Sequence, residues 1–166
     1  VKSLSSFSFR ESSKIKNVNI HDIIDNTLLF LRSKTTKIQI DKKYTLDKNL
    51  WVYPDKLHQV FLNIFNNAIY ELQNLDEVND KRITVQTLSD RHNKDMASII
   101  ISNTGHQIPE DIIHKIFDPF FTTKEVGEGK GLGLSIAYSF IEDHKGKLYA
   151  ENTDNEVTFN IELPLE

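Results

Sequence analysis

The chain has 166 residues, 39% of them hydrophobic, enough to bury one full core, and its length points to a single domain with a short appendage. Its 20 basic and 24 acidic residues leave a net charge of −4 with no basic block, so nucleic acid is not an expected partner. Without cysteine there is neither disulfide nor thiolate chemistry, which suits the cytoplasm, and no apolar run approaches the ~18 residues needed to span a bilayer. The chain starts at Val1 and reads as a piece of a longer protein, so membrane segments could lie upstream.

Residues 1–13 are serine-rich and too polar to fold alone, and read as the tail of a preceding helix plus a linker. From Ile20 onward, Ile23, Ile24, Leu28 and Leu31 recur at helical spacing behind Asn19, a suitable N-cap. Alternation from Ile38 to Leu46 and the run from Leu50 to Tyr53 predict two strands, the second closed by Pro54. Pro54 and Asp55 then open a helix with a broad apolar stripe: Leu57, Val60, Phe61, Ile64, Phe65, Ala68, Ile69 and Leu72. Residues 83–88 and 97–101 predict paired strands around a polar turn at 90–95. A short helix is expected over 109–116 and a longer one over 132–143, ending near Gly146, with closing strands over 147–151 and 157–163. His144 would sit at a helix C-terminus, where a charge suits the dipole. Helices and strands mix without regular βαβ alternation, which favours an α+β fold, a two-layer sandwich, over a doubly wound sheet.

Three segments carry chemistry. Asn63 and Asn67 lie four apart and so share a face of the second helix, at a cost in helix propensity. Their carbonyl oxygens suit a hard cation such as Mg²⁺, although a solvated polar face is the plainer reading. Asn103-Thr104-Gly105 ends an apolar strand; an amide there can hydrogen-bond a flat heterocycle that Gly105 allows to come close, or the segment is merely a turn. Residues 117–135 combine Phe117, Phe120, Phe121 and Lys124 with Gly127, Gly129, Gly131 and Gly133. Glycines expose bare N–H groups to a phosphate, and the helix beginning at Leu132 would present its positive end to the same anion. A nucleotide is therefore the first ligand to consider. The spacing fits neither a P-loop, nor a dinucleotide fingerprint, nor a eukaryotic kinase loop. Lys124 could reach a phosphate or be an ordinary surface lysine, and the phenylalanines are lid anchors or core.

In this order the segments 58–68, 103–109, 117–124 and 129–134 resemble the N, G1, F and G2 boxes of the catalytic ATP-binding domain of sensor histidine kinases, within the Bergerat-fold ATPase superfamily that includes gyrase. The resemblance spans nearly the whole chain, and the Phe-Phe-Thr-Thr-Lys form is similar to the nitrogen-regulation subgroup. It implies a mixed sheet of about five strands covered on one face by about three helices. It also implies a division into residues 1–16, the end of a dimerisation helix with its linker, and residues 17–166, the catalytic domain.

By the same resemblance Asn67 would be the main Mg²⁺ ligand, and Asn63 would support the metal, its water or the phosphates. Asn103 would bind the adenine amino group, and Gly105, Ile108 and Phe120 would shape the pocket. Gly129, Gly131, Leu132 and Gly133 with Lys124 would hold the β- and γ-phosphates beneath a hinged lid, and Thr158 would lie near adenine. The catalytic residues implied are Asn63 and Lys124. Two departures stand out: the family usually has Asp at Asn103 and Gly at Gln107. An amide accepts from adenine without the added strength of charge, so weakened base affinity is expected. Glu156-Val157 also replaces the usual glycines of the last motif.

ATPases of the superfamily carry Glu where this chain has Asn63, which cannot serve as a general base. The resemblance thus implies a protein-histidine kinase of a two-component system that transfers the γ-phosphoryl of ATP to a histidine. None of the six histidines here has the family's His-Glu/Asp-x-x-x-Pro context, so the acceptor is expected on dimerisation helices upstream and the chain alone should barely phosphorylate itself. Expected partners are ATP and ADP, those helices in a homodimer, and a response regulator. The expected location is the cytoplasm, with a membrane anchor of the full-length protein left open. The alternatives are a non-catalytic nucleotide-sensing module and an ATP-hydrolysing conformational clamp.

Overall fold

A computed structural model describes residues 14–76, 80–89, 95–125, 127 and 129–166. The tail at 1–13 and residues 90–94 of the turn expected at 90–95 lie outside them. The element order is β1 (Lys16–Val18), α1 (Ile20–Phe30), β2 (Gln39–Tyr44), β3 (Leu50–Val52), α2 (Pro54–Gln73), β4 (Arg82–Ser89), β5 (Met96–Asn103), α3 (Gly133–Asp143), β6 (Lys147–Thr153) and β7 (Glu156–Pro164).

Five strands form one mixed sheet in the order β2-β4-β5-β7-β6. Only β2 and β4 run parallel; α2 lies in the connection between them, as a parallel pair requires. The registers Ala97↔Leu163, Ile99↔Ile161, Ile101↔Phe159 and Val85↔Ile101 put the apolar residues of β4, β5 and β7 on one face. The apolar stripes of all three helices join the same core. The alternate residues make a polar face, where Thr158 Oγ1 bonds to Ser102 Oγ and to Thr153 Oγ1, both at 3.0 Å. One core face and one polar face make this the expected two-layer α+β sandwich.

Helix α2 buries all eight residues of its predicted stripe, each worth about 1.5–3 kcal/mol for a large aliphatic or aromatic side chain. Helix α1 starts where Asn19 accepts from the His21 N–H at 3.0 Å. It is tied to α2 through Thr27 Oγ1, 2.9 Å from His58 Nδ1.

The structure departs from the sequence reading in three places. Lys16–Val18, where the sequence reading expected no strand, pairs antiparallel with Leu50–Val52, so β3 belongs to a separate two-stranded ribbon rather than to the main sheet. No residue pattern in so short a strand signals its distant partner. Residues 110–117 form consecutive turns instead of a helix: Ile112, Lys115 and Asp118 each donate to the carbonyl three residues back, and only Ile113 reaches four back. His144 follows α3 but not as a cation. Its Nε2 accepts the Tyr53 N–H at 2.9 Å and its Nδ1 donates to the Phe140 carbonyl at 2.6 Å. Burial, with help from nearby Lys56, pushes its pKa below the ordinary value.

Candidate functional site

A cavity of about 530 Å³ opens between α2, the end of β5, β7 and the loops that precede α3. One wall is the side of α2 that flanks its core stripe, where Asn63, Asn67 and Glu71 follow each other at helical spacing. They span about 12 Å along the axis. At one end Asn63 stands beside the start of α3, its Nδ2 donating to the Gly133 carbonyl at 2.8 Å while its Oδ1 accepts from Gln59 Nε2 at 2.8 Å. At the other end Glu71 faces Gly105 and its Oε2 lies 3.6 Å from His106 Nδ1.

The Gly105 end is deep and apolar. Ile108, Ile112, Ile116, Val157 and Phe159 line it, and Asn103, 2% exposed, is its buried polar group, with Glu71, His106 and Gln107 at its rim. Asn103 Oδ1 accepts the Gly105 N–H at 2.9 Å. A Cβ on Gly105 would lie 2.7 Å from that oxygen and 2.9 Å from Glu71 Cβ, so only glycine lets the turn pack against α2. The Ile108 backbone is fixed in turn. Asn152 accepts its N–H at 3.0 Å and donates to its carbonyl at 2.7 Å, while Gln107 donates to the Asp154 carbonyl at 2.6 Å. A flat apolar ring would thus meet a wall whose main chain is already satisfied.

The Asn63 end is polar and cationic. Helix α3 begins at Gly133 with no side-chain cap, and Gly133 and Leu134 line the cavity, so free amide N–H groups and the positive end of the dipole face it. Gly129, Lys130, Gly131 and Leu132 line the same end. The loop that carries Thr122, Thr123 and Lys124 returns on itself where the Phe120 N–H donates to the Gly131 carbonyl at 2.8 Å. Gly131 has φ +68°, and a Cβ there would fall 2.5 Å from the Phe120 carbonyl carbon, which excludes other residues. Lys124 Nζ sits 4.2 Å from the centroid of the Tyr70 ring on α2. Among the described residues no group of three or more His, Cys, Asp or Glu could hold a metal, so oxygens for a cation here come from the Asn63 and Asn67 amides, the Glu71 carboxylate and threonine hydroxyls. Asn67 is half-buried in the wall and makes no side-chain hydrogen bond among the described residues.

Of the residues singled out in the sequence, Asn63, Asn67, Asn103, Ile108, Lys124, Gly129, Gly131, Leu132 and Gly133 come together in this cavity, with Gly105 directly beneath it. Phe120 and Thr158 do not. Phe120 takes φ 67° and turns its ring outward, 74% exposed. Thr158 follows Val157 and precedes Phe159, both lining residues, so strand alternation sends it to the polar face. That alternation could also have found Val157 and Phe159, and the step of four from Asn67 could have found Glu71. Nothing local in the sequence points to Ile112, Ile116, His106 or Lys130.

The family model for histidine kinase-, DNA gyrase B- and HSP90-like ATPases matches residues 52–166. Similar relatives are the sensor histidine kinase ZraS of Salmonella typhimurium, 29% identical over 91% of this chain and 31% of its own length, and the sensor protein VanS of Enterococcus faecium, 38% identical over 67% of this chain and 28% of its own. The sensor kinase CckA of Brucella abortus is 30% identical over 99% of this chain and 18% of its own length. The chain therefore spans less than a third of these relatives. Among solved structures, the catalytic domain of histidine kinase ThkA superposes with a TM-score of 0.79 at 30% identity, covering 91% of this chain and 95% of that one.

Proposed function

Because the chain belongs to the family of histidine kinase-, DNA gyrase B- and HSP90-like ATPases, we propose that it is the catalytic ATP-binding domain of a two-component sensor histidine kinase, handing the γ-phosphoryl of ATP to a histidine on a dimerisation helix. The observation that carries the reading is the polarity of the cavity. An apolar end with one buried amide suits a base, and uncapped helix N–H groups with two lysines suit phosphates about 12 Å away along α2.

In this reading adenine lies against Ile108 with Asn103 at its edge, and the phosphates reach Gly129, Gly131 and the first N–H groups of α3. Asn67 is the protein ligand for Mg²⁺, since its amide oxygen is unengaged and a magnesium site needs few protein groups beside phosphate oxygens. Mg²⁺, when bound, neutralises charge on the β- and γ-phosphoryl oxygens. Asn63 is held between Gln59 and Gly133, so it fixes the start of α3 against α2 and orients the phosphate donors. Lys124 turns from Tyr70 onto the γ-phosphate. With no carboxylate at position 63 to draw a proton from water, hydrolysis is unassisted and the γ-phosphorus is left for an imidazole nitrogen. The N–P bond forms as the bond to ADP breaks.

The partners follow from the same reading: a second copy through the dimerisation helices, and a response regulator, as in the solved complex of ThkA with its response regulator TrrA. We place the domain in the cytoplasm; no helix among the described residues is long and apolar enough to cross a membrane. We place its boundary near residue 16, at the ribbon formed by β1 and β3.

The test is calorimetric titration of the chain with ATP, with and without Mg²⁺, followed by addition of a histidine-bearing dimerisation helix with labelled ATP. Micromolar, Mg²⁺-enhanced binding and acid-labile label on the added helix are expected. ATP binding without any transfer would reduce the protein to a nucleotide-binding module. Steady hydrolysis lost in Asn63→Ala would make it a clamp ATPase.

A further inference from the structure

Resting on the reading of this cavity as a nucleotide site, we propose that Asn152, which is not among the residues that line it, is the positioning residue of the base end: it holds Ile108 in the wall and so sets the affinity for the base without touching the phosphates.

Residues 106–109 belong to no helix or strand, so neither a ladder nor a helical turn fixes Ile108. One side chain does so instead. Asn152 Oδ1 accepts the Ile108 N–H at 3.0 Å and Nδ2 donates to the Ile108 carbonyl at 2.7 Å, the exchange that a facing antiparallel residue would make. The amide fits in one orientation only, because turned over it sets N–H against N–H and oxygen against oxygen. Strand β6 places it. Asn152 stands opposite Val157 of β7 in the antiparallel register, and such pairs share a face of the sheet. Val157 lines the cavity, so Asn152 is on the same side. The apolar parts of the base end that come from β7 and from the turn at Ile108 are thereby set relative to each other through one half-buried amide. Gln107 fastens the same turn to the same hairpin. Its Nε2 donates to the Asp154 carbonyl at 2.6 Å, where Asp154 takes φ 47° between β6 and β7. It stands where the family usually has glycine, which has no side chain to make that bond.

The phosphate end is built on other contacts. Asn63 there is held by Gln59 and the Gly133 carbonyl. Loss of the Asn152 bonds should therefore loosen the base end alone. Removing the amide leaves the Ile108 N–H and carbonyl unmatched, which costs about tenfold or more in an equilibrium, and the turn moves to satisfy them, taking the Ile108 side chain off the ring. A carboxylate of the same shape keeps the first bond but sets its second oxygen against the Ile108 carbonyl.

The experiment is titration of the 166-residue chain, Asn152→Asp and Asn152→Ala with ATP, with adenosine and with inorganic tripolyphosphate, the folded fraction of each being followed by circular dichroism. Both variants should bind ATP and adenosine about tenfold more weakly and tripolyphosphate as before. Adenosine is uncharged, so repulsion by the new carboxylate does not account for its loss. Unchanged ATP affinity, an ATP loss that adenosine does not share, or an equal loss for tripolyphosphate overturns the proposal. Should neither variant fold, amide hydrogen exchange in the unchanged, nucleotide-free chain decides. The Ile108 N–H should exchange slowly, and exchange as fast as that of an open loop overturns the proposal. If the unchanged chain binds ATP and the variants bind it equally well, only this inference fails; if the unchanged chain binds neither ATP nor adenosine, the nucleotide reading falls with it.

Discussion

Two asparagines of the cavity carry different burdens. Asn103 is buried with its oxygen already shared with Gly105, so in the proposed nucleotide site its bond to adenine would be neutral rather than charge-assisted. Asn103→Asp should tighten ATP binding by roughly 1 kcal/mol, about fivefold, in a calorimetric titration; unchanged or weaker binding would refute the assignment of that end to the base. Asn67 stands half-buried with its amide unengaged. Asn67→Ala should leave binding of Mg²⁺-free nucleotide nearly unchanged while erasing the gain that Mg²⁺ brings, whereas equal loss under both conditions would argue for a direct phosphate contact instead. Phe120 illustrates how little residue type fixes by itself. An aromatic in a motif invites a pocket role, but a left-handed backbone and the bond from its N–H to Gly131 turn its ring to solvent.

At the scale of elements, α2 is both the keel of the core and a wall of the site. Its eight apolar residues face inward and its asparagines face the cavity, so packing on one side fixes polar geometry on the other. Phe61 is fully buried and is not among the residues that line the cavity. Phe61→Ala should cost about 3–5 kcal/mol in chemical denaturation, with the folded fraction still binding ATP. The amphipathic stripe of α2 was readable because a helix places residues three and four apart on one side whatever lies around it. The same locality explains Asn19 and the start of α1. It also explains what was unreadable: β1 and β3 are three residues each, and their pairing depends on a partner over thirty residues away. The turns of 110–117 in place of a helix put Ile112 and Ile116 in the cavity wall, a placement no local pattern announces.

For the whole molecule, stability ties the two ends of the helical layer together through His144. Its neutral ring joins the end of α3 to the entry of α2, beside the Lys56–Asp143 ion pair at 2.6 Å. Because burial lowers its pKa from 6.5, the unfolded chain takes up a proton first as the pH falls. The stability present above about pH 6.5 is therefore lost on acidification toward the lower folded pKa, and levels off below it. His21, lowered in the same direction by burial against the opposing charges of Asp25 and Asp22, adds to the slope. Thermal melting from pH 7.5 to 5.5 should show a falling midpoint that flattens in His144→Gln; an equally steep fall in that variant would refute the role.

By itself the sequence determined the α+β class, the three helical segments' apolar faces apart from the turns at 110–117, the order of the strands along the chain and the four segments that meet in the cavity, because each rests on spacing along the chain. Tertiary structure decided the sheet order, the ribbon that holds β3 apart, the outward turn of Phe120 and the orientation of the Asn103 amide. Those depend on which backbone group or strand arrives from a distance, and no local pattern encodes that arrival.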